Sequence, residues 1–90
     1  MLQNTTFAIV CFAYDEKGDL LDCKVAQHFT EDDAIERAKS ITSIEQVFGG
    51  DPNCDKIKSM KLEVEKRLNS GVFSINGEVI WQGHIKRKDN

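Results

Sequence analysis

The chain contains few of the residues that would place it in a specific class of protein. It has three cysteines, one proline and one tryptophan among 90 residues. The cysteines lack the close spacing of a zinc site or of a secreted disulfide framework. Their arrangement therefore favours a reducing compartment. The longest uncharged apolar run, 7–14, is far shorter than the roughly 20 residues that span a bilayer. The first residues also show neither the basic flank nor the cleavage site of a signal peptide. We therefore expect a cytoplasmic protein without a membrane segment.

The remaining composition is typical of one small folded domain. Apolar residues make up 40% of the chain and charged residues 30%, a balance unlike that of disordered chains. A chain of this length forms a single core of modest size, so association with another chain would add stability. We predict one domain over 1–90.

The clearest pattern is a β-hairpin over 5–28. Two runs rich in β-branched and aromatic residues flank a charged turn, in which Asp15 opens a three-residue loop and Gly18 takes the left-handed position. The turn predicts that Cys11 lies opposite Cys23. One face is then predicted to be core, and it carries Phe7, Ile9, Cys11, Ala13, Leu21, Cys23 and Val25. The other face carries Val10, Phe12, Tyr14, Leu20 and Lys24.

Two helices are predicted after the hairpin. The first, 30–48, begins with Thr30 as N-cap and Phe29 packed on Ala34, and it ends at Gly49 and Gly50. The second, 52–69, is indicated by a capping Asp-Pro pair and by apolar residues at helical spacing. The alternation of Met60, Leu62 and Val64 indicates a strand instead. We favour the helix because a strand leaves the proline and Leu68 without a role.

A second hairpin is predicted over 72–86, followed by a tail at 87–90. Asn76-Gly77 is a strong turn signal. A two-residue turn there conflicts with the segregation of apolar residues, which groups Phe73, Ile75, Val79, Trp81 and Ile85 on one face. We follow the segregation, because burying Trp81 contributes more free energy than a turn type. The order β-β-α-α-β-β then predicts an α+β two-layer sandwich, with a four-stranded antiparallel sheet and two helices on one face.

No group of residues predicts catalysis, a cofactor or a metal site. Cys11 and Cys23 are expected to be opposite each other, but both are assigned to the core, where cysteine acts as a small apolar residue. Cys54 lies in the first turn of the predicted second helix, where a helix N-terminus activates a thiol. It has no histidine near it in sequence, so a thiol enzyme is the weakest of three functional hypotheses.

The leading hypothesis is a non-enzymatic module for protein interaction. Its uncovered sheet face would bind a larger protein or a second copy of the chain, as a homodimer. The residues assigned to this contact are Val10, Phe12, Tyr14, Leu20 and Lys24.

The alternative hypothesis is nucleic-acid binding by the basic second half of the chain, where the second helix and the tail could form one surface. The residues assigned to it are Lys56, Lys58, Lys61, Arg67, Lys86, Arg87 and Lys88. The net charge of −3 argues against this hypothesis.

Overall fold

A four-stranded antiparallel sheet forms the body of the protein, in a computed structural model that describes residues 4–70 and 73–87. The elements in chain order are β1 (Asn4–Tyr14), β2 (Leu20–His28), α1 (Glu31–Ser40), α2 (Glu45–Phe48), a 3-10 helix (Cys54–Lys56), β3 (Ser59–Ser70) and β4 (Phe73–Lys86). The strand order in space is β2-β1-β3-β4. The α+β class and the four-stranded antiparallel sheet agree with the prediction, and the order of two strands, two helices and two strands agrees roughly.

The core lies between one face of the sheet and the segment 31–57. Because side chains alternate along a strand, β1 contributes its odd residues and β3 its even ones. The buried cluster consists of Phe7, Ile9, Cys11, Ala13, Ala34, Ala38, Ile41, Ile44, Phe48, Cys54, Ile57, Met60, Leu62 and Val64. We call this side of the sheet the helix-covered face and the opposite side the open face.

The first helix is shorter than predicted. Thr30 caps α1 as expected, since its hydroxyl accepts a hydrogen bond from the Asp33 N–H at 3.2 Å. The helix ends at Ser40, and the side chain of Gln46 accepts hydrogen bonds from the Thr42 and Ser43 N–H groups ahead of α2. This interruption corrects the prediction of one helix over 30–48. The expected contact of Phe29 with Ala34 is also wrong, because Phe29 is 88% exposed.

The predicted register of the first hairpin holds only at the turn. Gly18 has a φ of 86° and its N–H donates to the Asp15 carbonyl at 3.0 Å, as the loop prediction requires. Tyr14 pairs with Leu20, but a bulge at Leu21 then shifts the register by one residue. A shift of one residue turns every following side chain to the other face. Cys11 therefore pairs with Lys24, and the prediction that Cys11 and Cys23 lie opposite each other is wrong.

The predicted second helix at 52–69 is wrong, and the strand alternative is correct. Pro52 precedes only the 3-10 helix, and β3 occupies 59–70. Met60, Leu62 and Val64 are each at most 1% exposed, while the charged residues between them lie on the open face. The helix-forming residues of this segment form a strand because β1 pairs with β3 along the whole length of β1, and tertiary packing overrides local propensity.

The prediction of a hairpin within 72–86 is wrong. Residues 73–86 form the single strand β4, with Asn76-Gly77 inside it, and the second hairpin of the structure joins β3 to β4. The residues between these strands, 71 and 72, lie outside the described residues, as do the side chains of Phe73 and Ile75. The pairing is irregular at 76–77, where a Cβ on Gly77 would overlap the Lys66 carbonyl oxygen. The glycine is therefore needed for close approach of two backbones.

The predicted apolar face of the second hairpin is correct for two of its residues. Trp81 and Ile85 pack against the core. Ile80 is the extra residue of a bulge, which places Val79 opposite Glu65, and Val79 is 41% exposed. Of the predicted tail, Arg87 is described and 88–90 lie outside the described residues. None of the described helices is both long and apolar enough to cross a membrane.

Candidate interaction surface

The open face of the sheet has an apolar half formed by β1 and β2. Three directly opposed pairs lie here, and we call them the apolar strip: Val10 with Val25, Phe12 with Cys23, and Tyr14 with Leu20. Val25 and Leu20 are 53% and 56% exposed. Val10 is only 4% exposed. The strip therefore has a buried floor and exposed apolar side chains along β2.

The other half of the open face is charged. β3 presents Lys61, Glu63, Glu65 and Arg67, which we call the charged row. Lys61 and Glu63 are 3.8 Å apart, and the Arg67 guanidinium donates to the Glu65 carboxylate at 2.9 Å. The Lys61 ammonium also lies 4.7 Å from the centre of the Phe12 ring. This cation–π contact joins the charged row to the apolar strip.

Lys24 does not belong to this surface. The bulge at Leu21 places Lys24 on the helix-covered face, where its ammonium donates to the Val47 carbonyl at 3.1 Å and pairs with the Asp51 carboxylate at 3.1 Å. The same group lies 5.2 Å from the centre of the Phe48 ring. Lys24 therefore holds β2 to the end of α2, and its assignment to the open face is corrected.

The basic residues assigned to nucleic-acid binding do not share one helix face, since that helix is absent from the described residues. Lys56 lies in the 3-10 helix, whereas Lys61 and Arg67 lie in the charged row with carboxylate partners. Lys86 ends β4, Lys58 precedes β3, and Lys88 lies outside the described residues. Lys58, Lys86 and Arg87 nevertheless line one pocket together with Asp15 and Glu16. The structure therefore brings part of this set together beside two acidic residues and leaves Lys61 and Arg67 in the charged row.

Arg87 connects the end of β4 to the helical segment. Its guanidinium donates to the carbonyls of Ile57 at 2.9 Å and Cys54 at 3.1 Å, and it also binds the Glu45 carboxylate. The hydrogen bond from Arg87 is the main cause that holds the pKa of Glu45 below its ordinary value of 4.5. Arg87 is therefore committed to fixing α2 and the 3-10 helix against the sheet.

The three thiols are free and lie in different environments. Burial, with a smaller effect of Cys23, raises the pKa of Cys11 to about 11. The Cys54 thiol is buried, 3.8 Å from the Arg87 guanidinium and 3.9 Å from the Glu45 carboxylate. Cys23 is exposed on the open face, whereas Cys11 points to the helix-covered face. The two strand thiols are therefore separated by the sheet.

Sequence reasoning missed Cys23 and Val25 as members of the apolar strip. No local signal in the sequence marks the bulge at Leu21 that turns them outward. The charged row did have a signal, the alternation of charged and apolar residues over 60–65, but the helix prediction outweighed it.

Comparison with known proteins gives no assignment. No family model, no curated protein and no solved structure matches the chain.

Proposed function

We propose that this chain is a cytosolic, non-enzymatic module that binds another protein through the open face of its sheet. The observation that carries the proposal is the exposure of the apolar strip on the face that the helices leave uncovered. In the predicted two-layer arrangement, the helices cover one side of the sheet and leave this side for a partner. Contiguous exposed apolar surface on a small protein is typical of an interaction site.

The charged row supports the same proposal. Protein interfaces combine an apolar centre with a polar rim that fixes orientation and excludes wrong partners. Phe12 supplies an aromatic side chain at the boundary, and Lys61 covers its ring in the free protein. The partner that fits is a protein with an apolar patch bordered by charges that complement the row.

A second copy fits this face less well than a different protein. The charged row is positive at its two ends and negative in its middle. A two-fold axis that runs between the two sheets, perpendicular to the strands and over the middle of the row, would place Lys61 over Arg67 of the second copy and Glu63 over Glu65. Like charges brought together without water are costly. The open face is therefore assigned to a different protein.

The test compares capture of proteins from the native cytosol by the wild type and by Val25→Lys. The matched control is Ala26→Lys, the neighbouring exposed residue on the other face of β2. We expect one partner to bind the wild type and the control equally and Val25→Lys at least about tenfold less, a loss of roughly 1.4 kcal/mol. Circular dichroism checks that all three are folded. Equal capture by all three proteins would contradict the proposal.

A further inference from the structure

The outer edge of β4 has no strand neighbour within the described residues. An unpaired edge presents free N–H and C=O groups that can pair with another strand, and proteins usually block it with charges, proline or a cover. The run 79–85 contains neither a charged residue nor a proline. α1 packs over β1, β2 and β3 rather than β4. This edge therefore lacks the usual protection.

The other edge of the sheet is different. β2 carries Asp22 and Lys24, and its pairing is interrupted by the bulge at Leu21. The Lys24 side chain is also held by Asp51 and the Val47 carbonyl. Bulges and charges of this kind discourage edge-to-edge pairing. β4 also has a bulge, at Ile80, but its pairing with β3 is regular over 81–86, and the run 81–85 is uncharged. This part of β4 is therefore the more open edge.

We propose that two copies of this chain pair through their β4 strands, antiparallel, about a two-fold axis at Gly83. The two sheets then join into one sheet of eight strands. The axis opposes Trp81 of one copy to Ile85 of the second copy, and Gln82 to His84 of the second copy. In each pair the two opposed residues point to the same side of the joined sheet, as strand pairing requires.

The side chains around this axis are self-complementary. Trp81 and Ile85 lie on the helix-covered face, half-buried against the core, so pairing brings two tryptophans and two isoleucines into one cluster. Gln82 and His84 are exposed on the open face and present uncharged polar groups to each other. No pair within 81–85 joins two like charges. Self-pairing therefore removes apolar surface from water without burying a charge.

Gly83 allows the two strands to meet at the axis. The Trp81 indole lies over this residue, since a Cβ there would be 2.7 Å from the ring. The indole thus lies along its own strand toward Ile85. Since α1 packs mainly over β1, β2 and β3, the contact has room on the helix-covered face. The uncharged run 81–85 of one copy can pair antiparallel with the same run of a second copy. A second copy is therefore the occupant that fits this edge.

Mass measurement over a concentration series tests the proposal. We expect the wild type to reach twice the monomer mass of 10.2 kDa and to dissociate on dilution. The emission of Trp81, the only tryptophan, should move to longer wavelength as the dimer separates. A wild type that stays monomeric at every concentration would overturn the proposal.

Charge variants test the position of the axis. In Gln82→Lys with His84→Lys, each lysine faces a lysine of the second copy, so we expect a folded monomer. In Gln82→Lys with His84→Glu, lysine faces glutamate, so the dimer should persist. The control Gln27→Lys, on the other edge, should leave the mass unchanged. A dimeric double-lysine variant or a monomeric lysine–glutamate variant would overturn the Gly83 axis. Val25→Lys should still dimerise, so failure here is distinguishable from failure of the open-face proposal.

Discussion

At the scale of single residues, the accessibility of the cysteines reports which face each side chain occupies. Cys23 is exposed, although burial of its thiol, followed by the charges of Asp22 and Glu65, raises its pKa. Cys11 is buried, and its burial raises its pKa to about 11. Because the thiolate is the reactive form, both accessibility and pKa slow the reaction of Cys11.

We expect iodoacetamide to alkylate Cys23 at least about tenfold faster than Cys11 in the folded protein. Peptide mass spectrometry over a time course gives both rates, and Cys23→Ser identifies the fast site. Equal rates in the native protein would contradict the register that the bulge at Leu21 creates.

The Glu45–Arg87 pair makes stability depend on acid pH. The pKa of Glu45 is lower in the folded protein than its ordinary value of 4.5. The contribution of this carboxylate is therefore present above the ordinary value and is lost as pH falls through the lowered one.

Substituting Glu45→Gln should reduce the loss of stability between neutral pH and pH values below the ordinary glutamate pKa. Urea unfolding midpoints across this range measure the effect, and Glu36→Gln, at an exposed position of α1, is the control. Parallel pH profiles for Glu45→Gln and the wild type would show that the pair contributes nothing to acid sensitivity.

At the scale of elements, the irregularities of the strands decide where side chains point. The bulge at Leu21 turns the outer part of β2, and the bulge at Ile80 turns Val79 away from Trp81. Asn76-Gly77 has the composition of a hairpin turn but lies within β4. Gly77 fits there because the Lys66 backbone approaches too closely for a side chain.

Gly77→Ala should therefore lower the free energy of unfolding by about 1–3 kcal/mol, since a methyl group would force two backbones apart. Gly50→Ala is the matched control, because a Cβ there meets no atom within 4 Å. Its effect should stay within about 0.5 kcal/mol. Chemical denaturation of both variants measures the difference, and equal destabilisation would contradict the close approach at Gly77.

At the scale of the whole molecule, the sheet is longer than its helical layer. The protein measures 53 × 23 × 21 Å, whereas α1 has only ten residues. The helices therefore cover part of one face, while Leu20 and Val25 on the open face remain exposed, and the β4 edge has no strand neighbour within the described residues. The two proposed contacts use different surfaces, so a dimer paired at β4 would present two apolar strips on one continuous sheet.

Much of the candidate surface could be predicted from the sequence. Val10, Phe12 and Tyr14 follow from the alternation of β1, and they lie on the open face. Lys24 and Cys23 could not be predicted, because the bulge that exchanges their faces leaves no local pattern. Lys61 and Glu63 were assigned to a helix because lysine and glutamate favour helices locally.

The sequence by itself determined the features that depend on neighbours along the chain. The turn at Asp15–Gly18, the cap at Thr30 and the two faces of β1 all follow from local hydrogen bonds and side-chain alternation. Tertiary structure decided the state of 59–70 and the register beyond Leu21. β1 is an inner strand, so the backbone N–H and C=O groups on the edge that faces away from β2 also need a partner strand. Pairing with β3 gives those groups hydrogen-bond partners and buries Met60, Leu62 and Val64. The free energy gained in this way exceeds what the helix propensity of the same segment could contribute.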